Sequence, residues 1–343
     1  MKVDVKSSTY LFKEYLLINV TSDSLTVTFA PMNNSIAFIN SIEVVSVPDF
    51  LTSNVLTTLS PLSSFSGLPV IALETSYRLN MGGNKVKPKN DTLGRTWYPD
   101  KSYLAINSSV QNVTTLSSSI RYPESGTVTP DIAHNYVYAT AEEMGNANVV
   151  NPVFNISWVV SVDQDFSYFV LTHFCDIVSR SLNQLYFDVF INSQTVLDNL
   201  DLSSKASNLA TPYYTDFVVN ASGSKKLSIS IGPSLVDNVD PNAILNGLEM
   251  MKMSNEVGNL DGPYSVNGLK VGPIVGSVVG VVATLGLLAG GYYCFLRSPK
   301  SKLKNSPPAW LHLPFHGGNF HSMGSKVSMT SHKSGTGSYV SSA

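Results

Sequence analysis

Leu185, Phe187, Val189 and Ile191 alternate with Tyr186, Asp188, Phe190 and Asn192. A period of two is that of a strand with one face buried. Residues 154–162, 217–220 and 227–231 carry similar β-branched and aromatic runs. Residues 167–178 (SYFVLTHFCDIV) share that composition without helical spacing. Turn signals separate these runs: Met81-Gly82-Gly83-Asn84, Ala221-Ser222-Gly223-Ser224 and Asp240-Pro241-Asn242. Many short strands between Gly, Pro and Asn turns predict an all-β sandwich or jelly roll over residues 74–254. Residues 55–73, rich in Ser, Leu and Pro, read as a linker before it, and residues 255–270 as a polar linker after it.

A different pattern follows. Residues 271–296 hold no Asp, Glu, Lys, Arg or His. A helix needs about 20 apolar residues to cross a bilayer, so this run predicts a single transmembrane helix. Gly272, Gly276 and Gly280 recur every fourth residue, a spacing that lets helix backbones approach closely. Beyond the run come Arg297, Lys300, Lys302, Lys304, Lys326 and Lys333 and no acid. Basic residues gather on the cytoplasmic side of a span. The part before it holds all 24 Asp and Glu of the chain and all seven Asn-x-Ser/Thr sequons, at Asn19, Asn33, Asn90, Asn107, Asn112, Asn155 and Asn220. The two asymmetries predict a plasma-membrane chain with an extracellular N-terminal part and a cytoplasmic, disordered tail over residues 297–343. Residues 1–20 lack the continuous apolar core of a signal peptide, because Lys13 and Glu14 interrupt it. Either the span serves as a signal anchor or the sequence is a fragment.

An internal repeat bears on the second alternative. LTVTFAP from Leu25, then IAFINSIEVVSV, parallels LSISIGP from Leu227, then AILNGLEMMKM. Ala37, Asn40 and Glu43 match Ala243, Asn246 and Glu249. An offset of roughly 200 residues implies tandem whole domains rather than a solenoid. The second copy closes residues 74–254, so residues 1–54 are expected to be the C-terminal remnant of a first domain. Such a remnant leaves strand faces unpaired, and two or three strands alone are marginal in water.

Composition removes several chemistries. The net charge of −2 offers no basic surface for nucleic acid. Cys175 and Cys294 fall on opposite sides of the expected membrane and cannot pair, so Cys175 reads as a buried free thiol or as one whose partner lies elsewhere. His173 and Cys175 share a strand face, but zinc needs three or four ligands; His312, His316 and His321 lack a regular ligand spacing. No metal and no cofactor is expected. Gly335-Thr336-Gly337 lacks the third glycine of a kinase phosphate loop and the motifs that follow it. Asp163 and Asp165 read as solvated turn acids. Trp97, Tyr98 and Tyr103, with Tyr213 and Tyr214, are candidate ligand-stacking aromatics, with ordinary packing as the competing reading.

NSIAFINSIEVVSVPD at residues 34–49, RLNMGG at 78–83, NDTLGRTWYPD at 90–100, YATAEEMG at 138–145 and YFVLTHFCDIVSRSLNQLYFDVFIN at 168–192 resemble the plant malectin-like receptor kinases, the THESEUS, FERONIA and HERKULES group. AILNGLEMMKMSNEVGNLDGP at 243–263 and PPAWLHLPFHGG at 307–318 continue the resemblance. It implies a malectin-like β-sandwich ectodomain that binds cell-wall carbohydrate or secreted signalling peptides. It also implies homo- or hetero-association with receptors of the same family. Members carry two malectin-like domains, one span and a serine/threonine kinase, so the expectation is a receptor-like protein without its own kinase, or an incomplete sequence of a full one.

Overall fold

The structure is a computed structural model that describes residues 11–31, 33–48, 51, 56–59, 62–107, 110–145, 154–234, 236 and 241–261. All fall within the first of two units into which the chain divides, residues 1–266. The first half contributes β1 (Tyr15–Leu17), β2 (Leu56–Leu59), β3 (Ser63–Phe65), β4 (Ala72–Asn80), β5 (Tyr98–Pro99), β6 (Val110–Thr114), the helical turn α1 (Asn135–Tyr138) and β7 (Thr140–Met144). The second half contributes β8 (Ile156–Ser161), β9 (Ser167–Phe174), β10 (Tyr186–Ile191), β11 (Gln194–Asp201), α2 (Leu202–Ala206), β12 (Tyr213–Asn220), β13 (Lys226–Pro233), β14 (Ile244–Leu245) and β15 (Gly247–Met253).

The strands form three sheets. The largest runs β1-β4-β15-β9-β12-β2-β3, with β5 added to β4; the second runs β11-β10-β13-β8, and the third β14-β7-β6. Pairing is antiparallel except for β2 with β12 and β4 with β5. Alternation decides which face is buried. Phe187, Val189 and Ile191 of β10 are buried while Tyr186, Asp188 and Phe190 are half-buried. They pack with Ile229 and Ile231 of β13 and with Val170, Phe174, Phe217, Val219, Leu248 and Met250 of the large sheet. Each such side chain contributes about 1.5–3 kcal/mol by leaving water.

The large sheet is covered on both faces. Leu73, Phe169, Leu171, Val218, Met251 and Met253 point away from that core and pack against Leu56 and Leu68. This is why residues 167–174 and 247–253 show no regular apolar–polar alternation: a strand buried on both sides has no polar face to alternate with. The β10–β11 hairpin is set by two residues. Asn192 and Ser193 have φ of 49° and 63°, the two left-handed positions of a type I′ turn, between the paired Ile191 and Gln194.

Residues 56–70 correct the linker expectation. They supply β2, β3 and a 3-10 turn at Leu68–Val70, and Leu56, Leu59 and Leu68 are buried. Ser63 and Ser64 lie in β3 and Pro69 in the 3-10 turn, while Leu56 and Leu68 cover the outer face of the large sheet. Residues 271–296 and 297–343, expected to span the membrane and to form the tail, lie outside the described residues, as does Cys294. Among the described residues no helix is long and apolar enough to cross a membrane. Within residues 18–48 no strand forms among the described residues, and Ile36 and Val44 are 87% and 73% exposed. An apolar strand sequence without a neighbouring ladder keeps its backbone groups in water instead.

Candidate functional site

The outer face of the large sheet carries a buried ionic chain. Arg78 on β4 and Glu249 on β15 stand opposite each other in register. Arg78 Nε donates to Glu249 Oε2 at 2.6 Å, and its two terminal nitrogens donate to Glu14 Oε2 and Oε1 at 2.9 and 2.6 Å. His173 Nε2 lies 3.3 Å from Glu249 Oε1, not aligned as a hydrogen bond. Tyr138 Oη lies 3.1 Å from His173 Nδ1, and the rings of Trp97 and Tyr214 pack around the imidazole. Burial alone would raise the Glu249 pKa, but Arg78 reverses this and holds it well below the usual carboxylate range.

A second carboxylate closes the adjoining loop. Asp91 Oδ1 accepts from the backbone N–H of Leu93 and Arg95 and from Arg95 Nε; Oδ2 accepts from the Arg95 terminal nitrogen and from Trp97 Nε1. Burial pushes its pKa up, and Arg95 and Trp97 outweigh that and lower it. The expected ligand aromatic Trp97 is therefore a core residue, with none of its surface exposed. Tyr103 packs edge-on against Tyr77, Tyr213 stacks on Phe174 and Tyr214 on His173. Tyr98 alone of the five is exposed, with Lys85 Nζ 4.6 Å from its ring centre; Lys87 and Lys89, on the segment after Lys85, are exposed as well.

The repeat separates in the structure. Ala243, Asn246 and Glu249 are buried. Asn246 accepts from Cys175 N at 2.7 Å and donates to the carbonyls of Tyr138 and Thr140. Their counterparts Asn40 and Glu43 are exposed and Ala37 half-buried. Cys175 is buried with a free thiol whose pKa burial raises, so it is an unreactive core group. Asp163 pairs with Lys252 at 2.8 Å, and Asp165 holds a left-handed turn position.

Two surface features remain. Six sequon asparagines (Asn19, Asn33, Asn107, Asn112, Asn155 and Asn220) are exposed, while Asn90 is half-buried in a 3-10 turn. An open groove of about 770 Å³ lies where β3, β9, β12 and β15 end. Phe65, Val70, Phe166 and Val218 form its apolar wall, and Asp165 and Glu256 also line it. The predicted helix-packing glycines Gly272, Gly276 and Gly280 lie outside the described residues. Sequence reasoning missed the Glu14–Arg78–Glu249 chain. The available signal was charge inside apolar strand runs, YRLN and LEMM, where a lone ion would be too costly to bury.

The comparisons with known proteins agree in kind. Residues 1–253 match the model of the malectin-like domain. The receptor-like protein kinase THESEUS 1 of Arabidopsis thaliana is 50% identical over 268 residues, 78% of this chain and 31% of that protein. FERONIA, of the same organism, is 32% identical over 369 residues, 97% of this chain and 40% of that protein. The chain thus spans about a third of the length of the curated relatives it matches. Among solved structures, the plant receptor-like kinase FER is similar at 34% identity and TM-score 0.53, covering 58% of this chain and 55% of that one. The complex of the plant peptide RALF23 with FER and LLG2 is similar at 33% identity and TM-score 0.56, covering 63% of this chain and 58% of that one.

Proposed function

The chain belongs to the malectin-like family of plant receptor-like kinases, and from that membership we propose that it is a receptor-like protein of the plasma membrane that acts by binding. In this reading residues 1–270 face the outside, residues 271–296 cross the bilayer once and residues 297–343 lie in the cytoplasm. The uncharged run, the six basic residues after it and the seven sequons before it support that orientation. Asn19, Asn33, Asn90, Asn107, Asn112, Asn155 and Asn220 are the N-glycosylation sites of this reading. Gly272, Gly276 and Gly280 are its helix-packing face, toward another copy or a family receptor.

The observation that carries the ligand class is the similarity to the structure in which RALF23 is bound with FER and LLG2. A secreted signalling peptide, taken together with a small partner protein, is the ligand we assign. The test is titration of RALF23 into the full chain with LLG2 present, followed by calorimetry, with FER as the control. Heat from FER and none from this chain would refute the assignment. Cell-wall carbohydrate is the second ligand class, favoured by exposed Tyr98 under Lys85. The short span of the chain relative to its relatives favours a second reading of its organisation, as one part of a complete receptor-like serine/threonine kinase. A kinase frame in the full-length transcript decides between the two.

A further inference from the structure

Glu142 occupies the middle of the three-stranded sheet, paired in register with Asn112 of β6 and Leu245 of β14. The residue is only 2% exposed, and its Oε2 has no hydrogen-bond partner. Asp100, in the segment after β5, is tied to Gly82, which lies against the backbone of β7 at Ala141 and Glu142. The Gly82 N–H donates to Asp100 Oδ1 at 3.1 Å, and its carbonyl accepts from Asn112 Nδ2 at 3.0 Å. Its α-carbon abuts β7 so closely that a Cβ would stand 2.1 Å from the Ala141 carbonyl oxygen and 3.1 Å from Glu142 N.

The two carboxyl groups are served unequally. Asp100 has a donor on each oxygen, the second being Trp158 Nε1 at 2.7 Å. Donors favour the ionised form. A buried oxygen that receives no donor favours the neutral acid, and two neighbouring carboxylates in a dry site resist ionising together. Burial first, and then the charge of Asp100, push the Glu142 pKa up to about 7. Lys101 is the cation opposing this. Burial raises Asp100 as well, against the pull of Trp158 and Gly82. The flanking strands face Glu142 with Asn112 and Leu245, neither of which titrates.

We propose that the sheet β6–β7–β14 is a proton-controlled element of the ectodomain, fastened while Glu142 is protonated and loosened when Glu142 ionises beside Asp100. The sign follows from linkage. A carboxyl whose folded pKa is raised contributes stability that is whole below its unfolded pKa and is lost as pH rises through the folded one. The window is from about pH 4.5 to about pH 7. The loosened strand is β6, which carries the Asn112 sequon, so the acidity of the surrounding medium sets the order of a surface strand.

Hydrogen exchange of the full chain tests this, scored as protection factors so that intrinsic pH effects cancel. The expected result is a fall of at least tenfold in β6 and β7 protection between pH 5.5 and pH 8, with β10 and β13 unchanged. In Glu142→Gln that fall should vanish; Glu142→Met replaces it should the amide variant fail to fold. In Asp100→Asn the midpoint should move to higher ionisation ease, that is, to lower pH. Protection that is flat with pH in the parent chain, or that falls equally in a neutral Glu142 variant, overturns the switch. An unmoved midpoint in Asp100→Asn overturns the pairing on which it rests.

Discussion

Gly82 shows how much one position can carry. Its φ of 63° lies in the left-handed region, and any Cβ would collide with the Ala141 carbonyl. Gly126 has a similar φ of 70° with nothing within 4 Å of a built Cβ. The pair separates strain from collision. Gly126→Ala should cost about 1 kcal/mol, the penalty of a left-handed L-residue. Gly82→Ala should cost about 3 kcal/mol or more, since packing strain adds to it. Urea unfolding of both variants checks the difference, and equal costs would contradict the close approach. At this scale the sequence was only partly legible. RLNMGG signalled a turn at Gly82, yet nothing local announced that β7 lies against it. Trp97 looked available for a ligand because its burial depends on Asp91, six positions earlier, and on loops that fold back over it.

Among the elements, β1 has a short hold and a specific one. Three residues pair with β4, and Glu14 beside them supplies the second carboxylate of Arg78. Thr75 reinforces the joint, its N–H donating to the Glu14 carbonyl and its hydroxyl to Glu14 Oε1. Glu14→Gln should therefore cost about 1–2 kcal/mol, since Glu14 keeps some water. Glu249→Ala should cost about 3–5 kcal/mol, because Arg78 loses its buried counter-charge. Thermal melts of the two variants check the order, and a larger loss from Glu14→Gln would reverse the roles assigned to the two acids. The β8, β9, β10, β12 and β13 strands were legible from period and β-branched content, because central strands carry their own apolar signal. The β2 and β3 strands were not. Each has four residues or fewer, and Leu56 of β2 and Phe65 of β3 acquire meaning only as cover for strands more than a hundred positions later.

The whole domain should be most stable in mild acid. Glu249 and Asp91 have depressed pKa values, so the stability they contribute is present above the ordinary carboxylate range and is lost as pH falls below about 4.5. Glu142 acts oppositely, its contribution fading as pH climbs toward 7. Melting temperature measured from pH 3 to pH 8 should thus pass through a maximum between about 4.5 and 7, and a monotonic rise to pH 8 would contradict the assignment of Glu142. Topology is checked at the same scale. With residues 297–343 in the cytoplasm, protease added outside sealed lumen-facing vesicles should remove the tail and spare the domain; the converse pattern would reverse the proposed orientation.

Arg78 has one more consequence, which concerns the chain before it is finished. Its partner Glu249 is 171 positions further on. At the usual synthesis rate of about 5–20 residues per second, Arg78 waits roughly 10–35 s for Glu249 to appear, with Glu14, 64 positions earlier, already made. Throughout that interval β4 is an incomplete sheet edge bearing Leu73, Tyr77 and Leu79, the kind of surface on which nascent chains stick together. A charged residue near the end of the strand, matched at that stage by Glu14 alone, discourages that pairing. A neutral residue at Arg78 should therefore lower the soluble yield of synthesis as well as the stability of the folded domain.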